Sequence, residues 1–130
     1  MANPNIVAVA TIFGESVGYN LTATTTTTLM TVSSGKLLKV NRITCANVDG
    51  AAAADVTLSI TKANFTSAGV TNFDTSGTFH LAKTISVPAD ATLVISDTPI
   101  YLMEGDILKG GASAASDLDL FISYEVLDDA

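Results

Sequence analysis

From Leu118 to Val126 the chain alternates without a break. Leu118, Leu120, Ile122, Tyr124 and Val126 fall on one side, and Asp117, Asp119, Ser123 and Glu125 on the other. A period of two over that length predicts a strand with one buried and one solvated face. Val56, Leu58 and Ile60 alternate in the same way with Thr57, Ser59 and Thr61. Between these lies Lys83–Leu108, which reads as four short strands separated by Pro88-Ala89-Asp90, Asp97-Thr98-Pro99 and Glu104-Gly105-Asp106. The apolar runs there are rich in β-branched side chains and too short for helices.

The remaining segments follow the same grammar. Asn5 to Phe13 reads as a continuous apolar strand ended by Gly14, entered from an arm of about residues 1–5 that Pro4 holds extended. Tyr19 to Val32 is rich in threonine, a good strand former, and reads as two strands or one with a break. Lys36 to Val48 predicts the longest strand, and its apolar parity changes midway, from Leu38 and Val40 to Ile43 and Cys45. Such a slip predicts a β-bulge or a change of sheet near Asn41-Arg42. Asn47-Val48-Asp49-Gly50 turns the chain. Asn64 to Gly77 has no period and is full of turn formers, which predicts a long surface loop. Phe79, Leu81 and Ile85 share parity in the strand that follows. Gly110-Gly111 predicts a bulge or a close backbone approach.

No segment carries a convincing 3.6-residue apolar period. The expected fold is all-β, a two-sheet antiparallel β-sandwich of about nine or ten strands, with residues 1–130 forming a single β-sandwich domain. One cysteine and no tryptophan exclude the paired-cysteine core of an immunoglobulin domain, so the sandwich is expected to be jelly-roll-like.

Composition narrows function by exclusion. Hydrophobic residues make up 48% of the 130 and charged residues only 15%, which leaves apolar surface for another protein to cover. A net charge of −7 argues against nucleic acid and against anionic membranes. The N-terminus has no basic, apolar secretory signal, no run is long enough to span a bilayer, and Cys45 has no internal disulfide partner. Synthesis and folding in a cytoplasm are expected.

Candidate chemistry is sparse. Cys45 and His80 are the residue types of a nucleophile–base pair, but no glycine-framed nucleophile motif surrounds Cys45, and strand cysteines are ordinarily inert core residues. Asp117 and Asp119, with Asp128 and Asp129 or with Glu104 and Asp106, are possible oxygen ligands for calcium. Lacking an EF-hand loop, they read better as a solvated strand face. Glu104-Gly105-Asp106 reads as a turn rather than half of a carboxylate pair. The sequons at Asn20 and Asn64 matter only on a secretory route. No enzyme activity, metal, cofactor or small-molecule substrate is expected.

Several stretches together resemble a group of small virion structural proteins of tailed phages, of the marine and cyanobacterial phage type. They are Met1–Val7, Lys39–Gly50 with the following A-A-D-V-T-L-S-I, Leu81–Ser96 leading into Pro99–Leu108, and Ala112–Glu125. The resemblance implies a non-enzymatic β-sandwich built into a virus particle. With the acidic charge it points to a head decoration (cement) protein on the capsid exterior, homo-oligomeric and bound to the major capsid protein or other virion proteins. A neck, tail or fibre-associated structural protein is the alternative. A carbohydrate-binding β-sandwich is disfavoured by the absence of tryptophan and only 6% aromatic residues. The expected partner interface comprises the arm and first strand (Ala2, Asn3, Pro4, Asn5, Ile6 and Val7) and the apolar residues of the long loop (Phe65, Val70 and Phe73).

Overall fold

In a computed structural model, which describes residues 9–74 and 76–128, the apolar alternation becomes nine strands. In chain order these are β1 (Thr11–Asn20), β2 (Thr27–Thr31), β3 (Lys36–Asn47), β4 (Ala54–Lys62), β5 (Gly77–Val87), β6 (Thr92–Ser96), β7 (Ile100–Leu102), β8 (Ile107–Ala112) and β9 (Leu118–Asp128). There is no helix among the described residues. One sheet runs β1-β9-β3-β6, with β7 also paired to β3; the other runs β2-β8-β4-β5. Each ladder is antiparallel. With the three-residue β7 set aside, the pairs β1–β9, β2–β8, β3–β6 and β4–β5 are those of one long antiparallel ribbon rolled into two sheets. That is jelly-roll topology.

The core lies between the sheets. Val40, Ile43, Cys45, Leu118, Leu120 and Ile122 from the first sheet meet Val56, Leu58 and Leu108 from the second, all essentially inaccessible to water. Burying a side chain of this size contributes about 1.5–3 kcal/mol, so the alternation of β4 and β9 is enough to orient both sheets. The parity change in β3 is a bulge: the register with β9 slips between Val40 and Arg42. Val40 and Ile43 therefore both face the core, and the strand stays in one sheet.

Turn chemistry sets the corners. Lys36 N–H donates to Ser33 O, Ala91 N–H to Pro88 O and Asp106 N–H to Met103 O. The third residue of each turn has positive φ: Gly35 (76°), Asp90 (60°) and Gly105 (83°). Asn47 is buried and satisfied. Its amide donates to Ala52 O (3.0 Å) and Val87 O (2.9 Å), and its oxygen accepts from Asp49 N–H (2.8 Å). It thereby ties the end of β3 to the end of β5 in the opposite sheet.

One expectation is corrected, and one strand fills less of the core than its apolar residues suggest. Gly14 does not end the first strand; β1 continues through it to Asn20, in unbroken register with β9. At a sheet edge the missing side chain is harmless, since a Cβ at Gly14 would meet nothing within 4 Å. The part of the expected strand that falls in residues 1–8 lies outside the described residues. In β5, Phe79, Leu81 and Ile85 do not fill the core; Ala82 and Val87 do. Phe79 pairs with Ile60 and Ile85 with Val56, on the inner side. Because β5 is the last strand of its sheet, and β6 opposite it has only five residues, both overhang the core's edge.

Candidate functional site

The long loop starts at a buried carboxylate. Asp106 is fully inaccessible and accepts from Lys62 Nζ (2.7 Å), Ala63 N–H (3.0 Å) and Met103 N–H (2.8 Å). The chain therefore leaves β4 with its first two residues fixed to the β7–β8 turn. Beyond them the rings of Phe65 and Phe73 stack, 5.3 Å apart at 29°, and the Lys62 ammonium sits 4.9 Å from the Phe65 centroid. Val70 stands apart at the tip, 63% exposed, where the Ser67 hydroxyl accepts from Gly69 and Val70 N–H. Of the expected interface residues, the fold thus joins Phe65 to Phe73 and leaves Val70 alone. Ala2, Asn3, Pro4, Asn5, Ile6 and Val7 lie outside the described residues.

The sandwich is open along two sides, each bounded by the last strands of the two sheets. On the β1/β2 side a cleft of about 370 Å³ is walled by Phe13, Met30, Val32, Leu38, Tyr124 and Val126, with Glu15 and Lys36 at its rim. Glu15 lies opposite Tyr124 across the β1–β9 ladder. Burial, then the hydrogen bond to and the charge of Glu15, push the Tyr124 hydroxyl up to about 12. The Tyr19 hydroxyl donates to Leu29 O (2.9 Å), joining the two sheets across the same side. The β5/β6 side presents Phe79, Leu81 and Ile85. On the outer face of the first sheet, Phe121 and Val94 flank Thr44 across the ladders and are exposed. Sequence reasoning missed both open sides, because strand alternation does not say which strand ends a sheet.

The candidate chemical groups are kept apart. Cys45 points into the core from β3, whereas His80 is exposed on β5 of the other sheet. Asp119 accepts from the Asn20 amide at 2.6 Å, and Asp128 pairs with Lys36 at the opposite end of β9. Glu104 accepts from Gly35 N–H (2.5 Å) and Ser34 Oγ (3.4 Å), so the Glu104-Gly105-Asp106 turn fastens two neighbouring segments. Among the described residues no three His, Cys, Asp or Glu side chains gather as a metal-binding group. Asp129 lies outside them.

Burial, then the charge of Asp119, push the Cys45 thiol from its ordinary 9.0 up to about 11. The folded state therefore holds this proton more tightly than the unfolded chain. Its contribution to stability is complete below about pH 9 and is lost as pH rises toward 11. Native protein is expected to resist a thiol-specific reagent at pH 8, with labelling appearing only on unfolding. Rapid stoichiometric labelling of folded protein would show that Cys45 is not where the fold puts it.

No protein-family model and no curated protein matches the sequence. One solved structure, from work describing Bacillus endospore appendages as a family of disulfide-linked pili, is similar over 92% of this chain and 90% of that chain. The identity is 15% and the TM-score 0.44, a likeness too distant to speak to function.

Proposed function

We propose that this chain is a non-enzymatic structural subunit of a tailed-phage particle, a homo-oligomeric head decoration (cement) protein seated on the capsid exterior. The observation that carries the reading is apolar surface on a charge-poor jelly roll: Ile12, Phe13, Val70, Phe79, Ile85 and Phe121 are each more than two-fifths exposed. Scattered exposed apolar residues are ordinary, but here five of the six lie on the edge strands β1 and β5 or at a loop tip, with Phe121 on the outer face of the first sheet, places where contacts between subunits bury such groups. The charge of −7 favours the outer surface over the DNA-filled interior. The partner is the major capsid protein or another virion protein, reached through the arm and the start of the expected first strand (Ala2, Asn3, Pro4, Asn5, Ile6 and Val7) and the loop residues Phe65, Val70 and Phe73. No cofactor, nucleic acid, membrane or small-molecule substrate is needed, and the protein is made in the host cytoplasm.

The test is to compare particles assembled with and without the protein, by copies per particle and by heat-induced DNA release. The expected result is a copy number that scales with the capsid lattice, with DNA released at a lower temperature when the protein is missing. A copy number matching one vertex or the tail would overturn the decoration reading in favour of a neck or tail position.

A further inference from the structure

The cleft on the β1/β2 side sets a polar pair inside apolar walls. One wall is two rows of the first sheet: Phe13, Val126 and Leu38 pair across the ladders, as do Glu15, Tyr124 and Val40. The other is Met30 and Val32, near the end of β2 and just beyond it. The register of β2 with β8 slips between Thr28 and Met30, and both Leu29 and Met30 pack inward. Leu29 packs on Gly110, and its carbonyl accepts from the Tyr19 hydroxyl. Met30 is left to face the cleft. The two sheets are thus tied together at Tyr19 and part toward Phe13.

Charge selects the occupant. The charged residues lining the cleft are Glu15 and Lys36. Lys36 is already paired, with Asp128, whereas no ion pair among the described residues involves Glu15. The Glu15 carboxylate accepts from the Tyr124 hydroxyl, which leaves it further lone pairs and gives a ligand acceptors there rather than a donor. The rings of Phe13 and Tyr124, both lining the cleft, also favour a cation. Size is suitable too. Small-molecule sites are largely apolar pockets of about 300–1,000 Å³ with a few placed polar groups, and this cleft has about 370 Å³.

We propose that this cleft binds a small organic cation, an apolar body of about ten heavy atoms with an ammonium or guanidinium head. The head sits against Glu15, and the body lies between Phe13, Met30 and Val126. An anionic amphiphile fits less well, because Lys36, the one cation at the rim, is held by Asp128. Burial and then Glu15 push the Tyr124 hydroxyl up to about 12, which agrees with a carboxylate whose charge acts inside the cleft. This binding goes beyond the structural role proposed above and does not depend on it.

The test titrates full-length protein with 4-phenylbutylammonium at pH 7 and low salt, following methionine methyl resonances. The neutral and anionic counterparts are 4-phenylbutanol and 4-phenylbutanoate. Met30 lines the cleft and reports binding; Met103, in the turn before β8 and outside the lining, is the control, and Met30→Leu assigns the signal. Saturable movement of the Met30 signal is expected, with half-saturation on the order of 1 mM for a ligand of this size. The ammonium should bind at least about threefold tighter than the alcohol, and the carboxylate weakest of all. Glu15→Gln keeps an acceptor for Tyr124 and removes the charge, so it should lower the ammonium to the level of the alcohol. Phe13→Ala, at an exposed edge, should weaken ammonium and alcohol alike by at least about threefold. Circular dichroism confirms that each variant is folded. A Met30 signal that stays still at about tenfold the expected half-saturation overturns the proposal. So does an alcohol or carboxylate that binds as tightly as the ammonium, or a Glu15→Gln protein that keeps the preference. Because no particle is present, these outcomes are independent of the copy-number measurement that decides the capsid reading.

Discussion

Asp106→Ala is expected to lose about 3–5 kcal/mol of folding stability, the range for removing one partner of a buried ion pair. For a chain of this size that is a fall in melting temperature on the order of 10 °C. Three donors converge on the Asp106 carboxylate from two elements: Lys62 Nζ and Ala63 N–H from the end of β4, and Met103 N–H from the turn before β8. Truncation leaves all three unmatched, and the Lys62 side chain is only 20% exposed, too little for water to replace the carboxylate fully. Asp106→Asn keeps the shape and one acceptor oxygen, so a smaller loss of about 2–3 kcal/mol is expected. Lys62→Met should be milder still, because the two backbone N–H groups continue to hold the carboxylate. The order Asp106→Ala, then Asp106→Asn, then Lys62→Met is read from denaturant midpoints. If Asp106→Ala unfolds within about 1 kcal/mol of wild type, the carboxylate does not organise this corner. The same substitution releases the start of the 64–77 loop, so limited proteolysis should cut there sooner than in wild type.

Nothing local in the sequence distinguishes that carboxylate from a solvated turn residue. Glu104-Gly105-Asp106 has the composition of a surface turn, and the turn is real. Its acids are buried because Gly35 and Lys62, far away in the chain, fold over them. The bulge in β3 was legible because burial imposes parity on a long strand, and a one-residue slip leaves a visible trace. The Thr-rich tract was less legible, since threonine is accepted on either face. The chain in fact leaves β1 at Asn20 and re-enters a sheet only at Thr27. In β5 the alternation of Phe79, Leu81 and Ile85 was present, but exposure was decided by its place at the sheet's end. That place is a property of topology, fixed by which strands pair. The two open sides of the sandwich were hidden for the same reason: β1 and β5 become edges only through the pairing of the other strands.

The Gly110-Gly111 pair was legible as a close-approach signal, and the two glycines are expected to respond differently to one added methyl group. A Cβ on Gly111 would stand 2.7 Å from Thr25 O and 2.9 Å from Thr25 C, with Thr26 N at 3.1 Å. These are backbone atoms of the segment that crosses from β1 to β2, and that segment is itself held by Ala112 N–H donating to Ala23 O at 3.2 Å. To make room, the crossing must lift from β8 and strain the β2–β8 ladder beside it. Gly111→Ala is expected to lose about 2–3 kcal/mol, the upper part of the overpacking range, net of the small gain from stiffening the unfolded chain. A Cβ on Gly110 meets Leu29 Cδ1 at 2.8 Å and Leu58 Cδ1 at 3.2 Å, the far ends of side chains rather than backbone. Gly110→Ala should therefore lose only about 1 kcal/mol. Paired denaturation curves give the comparison directly. If Gly110→Ala proves the more damaging, the tight contact at this corner is between side chains of the core, and the backbone crossing over β8 has slack that its geometry does not suggest.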